Sequence, residues 1–204
     1  MKINRNLMFK QTGFIVFLVL LCSAVFAQSA RDNWQQPRRV MDSLGVHSGM
    51  AIGEVGAGDG YFTWFLAERV GDSGQVYAND IDNDELDKIR RKIQRDSLTN
   101  IVPVLGKTTE TNFPDSTMDM VIMVYVFHHL EEPVPFFGNL TRTLKPGAPV
   151  VIVERDPEKY DGWSGHFYPK DKVLQIIENT GYRLAKIFTF LSRDNIYVIY
   201  PPAN

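Results

Sequence analysis

Apolar residues along the chain fall into short runs that alternate with helix-period patterns. Met50 to Val55, Gln75 to Asn79, Ile101 to Leu105, Asp119 to Val126 and Pro149 to Glu154 read as five strands. The fourth run is nearly continuous in apolar residues, as a strand covered on both faces of a parallel sheet requires. Between them, positions 61–70 bring Phe62, Phe65, Leu66 and Val70 to one helical face. Positions 82–96 give a narrower stripe of Leu86, Ile89 and Ile93, with acids early and bases late as the helix dipole prefers. A helix over 132–144 is entered through Pro133 and Pro135, and one over 169–180 stops at Gly181. Leu184 to Leu191 and Asn195 to Tyr200 close the chain as a hairpin around Ser192-Arg193-Asp194. Ahead of the first strand, Ala30 to Leu44 reads as one helix with Pro37 in its first turn. This order predicts an α/β fold: a mostly parallel sheet, helices on both faces, and one antiparallel strand forced by the final hairpin.

The first 27 residues break the pattern. Lys2, Arg5 and Lys10 precede an apolar stretch from Phe14 to Phe26, and Ala27 offers a small residue for cleavage. Residues 1–27 are therefore expected to be a signal peptide, or an uncleaved N-terminal anchor, ahead of one domain over 28–204. The expected location is periplasmic or secreted, or membrane-bound through that segment alone. Cys22 is the only cysteine, so a chain cut after Ala27 forms no disulfide; bulky Leu21 before it argues against lipidation. The whole chain carries net charge −2, and residues 28–204 hold 19 bases against 24 acids, net −5. No basic stripe of the kind nucleic acid needs is visible, which excludes it as an expected partner.

Chemistry concentrates after the first strand, in Glu54-Val55-Gly56-Ala57-Gly58-Asp59-Gly60. Glycines there allow a sharp turn and close approach of a ligand, and the turn opens a helix N-terminus. Asp80, twenty positions beyond Gly60 and at the end of the second strand, can accept from both hydroxyls of a ribose. Turn and acid together predict a nucleoside site. The spacing is G-x-G-x-G, with Tyr61 where a dinucleotide fold places its last glycine, which counts against a nicotinamide-dependent oxidoreductase.

Two later stretches extend the pattern: Asp119 through Leu130, which contains His128-His129, and Leu144-Lys145-Pro146-Gly147. In this order the four features resemble the class I S-adenosylmethionine (SAM)-dependent methyltransferases, from about Trp34 to Tyr200. The resemblance implies a Rossmann-like seven-stranded sheet with its last strand antiparallel, and SAM across the C-terminal ends of strands one, two and four. It implies contacts from Gly56, Ala57, Gly58 and Gly60 of the turn, with Glu54 ordering the loop or approaching the amino group. Asp80 would hold the ribose, Ile81 the adenine, and Val124 and Tyr125 the side near the methyl. The family commonly has an acid just after strand three; Lys107 stands there, leaving Thr108, Glu110 or a backbone carbonyl to meet the adenine amino group.

The implied activity is methyl transfer to a small-molecule acceptor. Positioning dominates such a reaction, and a base is needed only if the acceptor loses a proton. His128 and Tyr125 are the catalytic candidates, with Glu154 and His166 behind them; for the histidine pair a helix-entry role competes. No metal is expected, since adjacent histidines lack ligand spacing and no acidic or cysteine cluster joins them. No nucleophile elbow surrounds Ser43, Ser48 or Ser164. Asn139-Leu140-Thr141 matches a glycosylation acceptor but falls in a predicted helix. The aromatics of the loop from Asp156 to Pro169 suggest an apolar or planar acceptor, or equally serve only to pin the loop. Export and Lys107 motivate the alternative of a catalytically inactive binding or sensing domain in the cell envelope.

Overall fold

The computed structural model describes residues 30–160 and 165–202. The signal-like segment and Cys22 lie outside the described residues. The chain divides into two units, 1–36 and 37–204. In the first, residues 30–35 are helical. The helix expected over Ala30–Leu44 does not run through: Gln36 adopts φ 46° and α1 spans Pro37–Leu44. Proline's ring disfavours helical backbone in the residue before it and removes an amide donor, so it begins a helix more readily than it continues one.

The second unit then runs β1 (Ala51–Val55), α2 (Tyr61–Val70), β2 (Gln75–Asp80), α3 (Asn83–Asp96), β3 (Ile101–Leu105) and β4 (Met120–Val124). A 3-10 turn (Phe127–His129), α4 (Pro133–Thr141), β5 (Val150–Arg155), α5 (Lys170–Asn179), β6 (Arg183–Phe188) and β7 (Asp194–Tyr200) follow. The strands form one sheet in the order β3-β2-β1-β4-β5-β7-β6. All neighbours up to β4–β5 are parallel, while β7 runs antiparallel to both β5 and β6. The seven-stranded, mostly parallel sheet with an antiparallel last strand is thus as expected.

Side-chain alternation divides the core. Met120 and Ile122 of β4 and Val151 and Val153 of β5 join Leu66 of α2 and Leu86 of α3 on one face. Val121 and Met123, with Val150 and Ile152, join Phe137 and Leu140 of α4 and Val173 of α5 on the other. Successive residues of a strand point to opposite faces, so a strand covered twice must be apolar throughout. The outer strand β6 is mostly exposed and carries Arg183 and Lys186 along its open edge, which discourages pairing with another chain. Among the described residues no helix is long and apolar enough to cross a membrane.

The Leu144-Lys145-Pro146-Gly147 stretch ties the start of β4 to the start of β5. Lys145 donates from its amide to Met118 O (2.9 Å) and from Nζ to Asp119 Oδ1 (2.7 Å). Asp119 Oδ2 accepts from the Ala51 amide at 2.8 Å, which locks β4 to β1. Burial alone would raise the Asp119 pKa, but the Ala51 amide and the Lys145 ammonium outweigh it and hold the carboxyl below its ordinary value. A depressed carboxyl stabilises the fold above its unfolded pKa, about 3.9, and that contribution disappears as pH falls through the lower folded value. Wild-type protein should therefore lose part of its stability over Asp119→Asn as pH drops below about 4. Paired thermal melts from pH 7 to 3 check this: the gap between the two proteins should narrow toward acid.

Candidate functional site

In an open α/β sheet, the crevice forms where strand order reverses, at the C-terminal strand ends. Here that point lies between β1 and β4, and a cavity of about 360 Å³ opens there. Val55 and Gly56 after β1, Asn79, Asp80 and Ile81 at the end of β2, and Lys107 and Thr108 after β3 line one side. Tyr125, Val126, His129, Leu130, Glu131 and Phe136 line the other.

The glycine turn is stapled to the end of β2. The Ala57 amide donates to Asn79 O and the Gly58 amide to Asp80 Oδ2, both at 2.8 Å, while Asp80 Oδ1 accepts from the Asp82 amide at 2.9 Å. Gly56, Gly58 and Gly60 all have positive φ, but they serve different ends. A Cβ on Gly56 would run into the Val126 side chain, so its absence is what lets these two lining residues pack together. A Cβ on Gly60 would sit 2.5 Å from the Trp64 ring, so Gly60 serves the packing of α2 rather than the cavity.

Of the predicted cofactor contacts, Gly56, Asp80, Ile81 and Thr108 line the cavity, as does Tyr125. Ile81 is 61% exposed, an apolar face free to be covered by a ligand. Glu54, Ala57, Gly58, Gly60 and Val124 are not in the lining. Glu54 is buried and accepts from the Thr63 hydroxyl of α2, so it fixes the turn against the following helix.

Sequence reasoning missed Asn79. Its buried amide donates to Val104 O (3.2 Å) and Thr111 O (2.9 Å), bridging both ends of the loop that carries Lys107 and Thr108. That loop is a tight turn in which the Lys107 amide donates to Glu110 O at 2.7 Å. Lys107 Nζ pairs with Glu110 Oε2 at 3.0 Å, so its charge is met by Glu110. Asn139 of α4 spends its amide on Thr109 O (3.0 Å), which suits a structural role and not a glycan acceptor. Asn79→Ala leaves two carbonyls without that donor. We expect a loss of about 1–3 kcal/mol by denaturant titration, with faster hydrogen exchange across residues 105–111.

Tyr125 follows β4 with φ 60°, a conformation that bulky side chains rarely adopt. Its hydroxyl donates to Asp194 Oδ1 at 2.6 Å and accepts from Arg155 Nη2 at 3.2 Å. Burial, then the Asp194 carboxylate, pushes the phenol well above its ordinary pKa, so it stays protonated. Tyr125 therefore shapes the wall, and its hydroxyl is committed to Asp194 instead of serving as a proton acceptor. Lys159 reinforces this corner by donating to the carbonyls of Thr189, Leu191 and Asp194 at 2.8 to 3.1 Å.

His128 does not line the cavity; His129 does. The His128 side chain is 2% exposed and its Nδ1 lies 3.0 Å from Glu154 Oε2, at the end of β5. That oxygen also accepts from the His128 amide at 3.3 Å, so Glu154 holds both ring and backbone. The histidine pair is joined by His166, from the loop before α5: ring centroids lie 3.9 Å (His128–His129), 4.8 Å (His128–His166) and 5.3 Å (His129–His166) apart. His166, 37 positions beyond His129 in sequence, is thus brought beside the pair by the tertiary structure. Burial, then its two neighbouring imidazoles, holds His129 below its ordinary pKa.

Residues 53–152 match a family described as methyltransferase domain. The chain is 28% identical over 154 residues to a ubiquinone/menaquinone biosynthesis C-methyltransferase of Vibrio campbellii, covering 72% of this chain and 60% of that protein. It is 30% identical over 151 residues to the protein of the same description in Idiomarina loihiensis, covering 70% and 59%. The chain thus spans about three-fifths of the length of these relatives. A crystal structure of a SAM-dependent methyltransferase from Aquifex aeolicus aligns with TM-score 0.78 at 27% identity, over 83% of this chain and 92% of that one.

Proposed function

Because the chain belongs to the class I SAM-dependent methyltransferases, we propose that it binds SAM at the β1–β4 crevice and methylates a small, planar, electron-rich acceptor of the quinol type. The observation that carries the cofactor half is the meeting of three features at one cavity. Asp80 is a carboxylate with acceptor capacity left, Gly56 brings bare backbone to the lining, and Ile81 is an exposed apolar face beside them. Asp80 would take the ribose hydroxyls, Ile81 the adenine face and the Gly56 backbone the methionine part. Once bound, the cofactor supplies an electrophilic methyl group on sulfur.

The chain's own residues orient the acceptor and exclude water, which is where methyl transfer gains its rate, and the proton that the acceptor's ring carbon or hydroxyl gives up would pass to His129 or Glu131 on that side of the lining. Tyr125, with its hydroxyl bound by Asp194 and Arg155, and Val126 form the wall toward the acceptor side. Leu130 and Phe136 make that side apolar. The acceptor half rests on this lining and on the relatives' description as quinone-pathway C-methyltransferases. Lys107, which motivated the inactive alternative because it cannot accept from the adenine amino group, is paired with Glu110, and Thr108 beside it lines the cavity as an alternative acceptor. The basic and apolar residues 1–27 support export or tethering of the domain, which cell fractionation would test.

The experiment is transfer of labelled methyl from SAM to a set of reduced, hydroxylated one- and two-ring aromatics, with product identified by mass. Methylation of ring carbon or oxygen supports the reading. Turnover confined to amine or carboxylate acceptors overturns the acceptor class, and the absence of SAM binding overturns the cofactor.

A further inference from the structure

His128, His129 and His166 each offer one ring nitrogen, and the three lie within 4.8 Å of one another. Chance surface histidines do not come with the second feature seen here. The His128 side chain is almost wholly buried and its Nε2 has no hydrogen-bond partner, while Nδ1 faces the Glu154 carboxylate at 3.0 Å. In the neutral ring, Nδ1–H donates to Glu154, which leaves an unshared lone pair on Nε2. A buried lone pair without a partner costs free energy, and an orphan of this kind calls for a ligand. The carboxylate–histidine arrangement is the one that orients imidazoles toward metal ions and raises their basicity.

We propose that His128, His129 and His166 form a binding site for a divalent transition-metal ion such as Zn²⁺. Three imidazoles with a vacant position are a recurrent zinc ligand set, and imidazole also suits Co²⁺ and Ni²⁺. Nitrogens about 2.05 Å from a tetrahedral ion stand about 3.3 Å apart, so the cluster must tighten by about 1.5 Å at its widest. His166 can supply that movement, because it is an exposed loop residue, whereas His128 is fixed by Glu154. Two of the three ligands come from one short turn and the third from the loop before α5, so an ion would tie that loop to the end of β4. Since His129 also lines the cavity, the ion would sit at its rim.

The test is titration of the full-length chain, without a histidine tag, with Co²⁺ followed by its visible absorption, then displacement by Zn²⁺. Saturation at one equivalent with a tetrahedral spectrum is expected. His166→Ala and His129→Gln should each weaken binding at least tenfold, and Glu154→Gln should weaken it about 10- to 100-fold through His128. His47→Gln is the control: the fourth histidine of the chain lies outside the cluster and should leave the titration unchanged. His166→Ala touches only an exposed loop position, so it keeps the test valid if a change at buried His128 or Glu154 impairs folding. No spectrum, or one that persists in His166→Ala and His129→Gln, overturns the site. The readout is independent of S-adenosylhomocysteine binding, so its failure and that of the methyltransferase reading are distinguishable.

Discussion

Asp80→Ala is expected to weaken S-adenosylhomocysteine binding by a hundredfold or more while leaving the fold nearly as stable. An ionised carboxylate offers about four lone-pair sites. Two are taken within the chain, by the amides of Gly58 at 2.8 Å and Asp82 at 2.9 Å. The remaining two match the two hydroxyls of a ribose. Each hydrogen bond to a charged group contributes about 1.5–3 kcal/mol net, so losing two removes about 3–6 kcal/mol, which is at least a hundredfold in Kd. The two orphaned amides lie at partly exposed positions where water can replace the carboxylate, so the thermal midpoint should fall by only a few degrees. Asp80→Asn keeps one acceptor oxygen and should fall between wild type and Ala. Calorimetric titration of all three proteins checks the order. If Asp80→Ala binds within about fivefold of wild type, the ribose does not lie on Asp80 and the assignment of the cavity is wrong.

The parts of this molecule legible from sequence are those set by short-range periodicity. The unbroken apolar run of β4 announces a strand covered on both faces, and Val121 and Met123 face one core while Met120 and Ile122 face the other. The glycine turn and Asp80 could be paired in advance, because a strand–turn–helix–strand unit brings both to one end of a parallel sheet. Asn79 escaped notice because its role depends on carbonyls 25 and 32 positions away. Glu154 and His166 stand out as candidates in sequence, but their meeting at His128 does not, because both are distant from it along the chain. Tyr125 lines the cavity, as its place after β4 predicts, with its hydroxyl bound to Asp194. Its partner Asp194 is 69 positions distant, and nothing near Tyr125 in sequence reveals that its hydroxyl is already bound. Local pattern thus located the crevice, while the side chains that hold its walls are fixed by contacts between loops.

Gly56→Ala should be among the most damaging single changes in the glycine turn, and Gly58→Ala a milder one, although both residues have positive φ. Gly56 has φ 67° and Gly58 φ 54°, so each substitution forces an L-residue into left-handed backbone, at about 1–2 kcal/mol. Their surroundings differ. A Cβ at Gly58 meets nothing within 4 Å, whereas one at Gly56 runs into the Val126 side chain. Forcing an extra methyl into packed surroundings costs typically about 1–3 kcal/mol more. Gly56→Ala should therefore lose about 2–5 kcal/mol, about 4–20 °C in Tm for a domain of this size, against about 2–8 °C for Gly58→Ala. Ligand binding should suffer too, because Gly56 and Val126 both line the cavity and the methyl would push them apart. The double variant Gly56→Ala/Val126→Ala separates the two causes. Residues in contact couple non-additively, so trimming Val126 should restore the steric part of the loss and leave only the backbone strain. If the double variant is less stable than the sum of the single changes predicts, the clash with Val126 is not the origin of the damage, and the turn conformation alone accounts for the glycine.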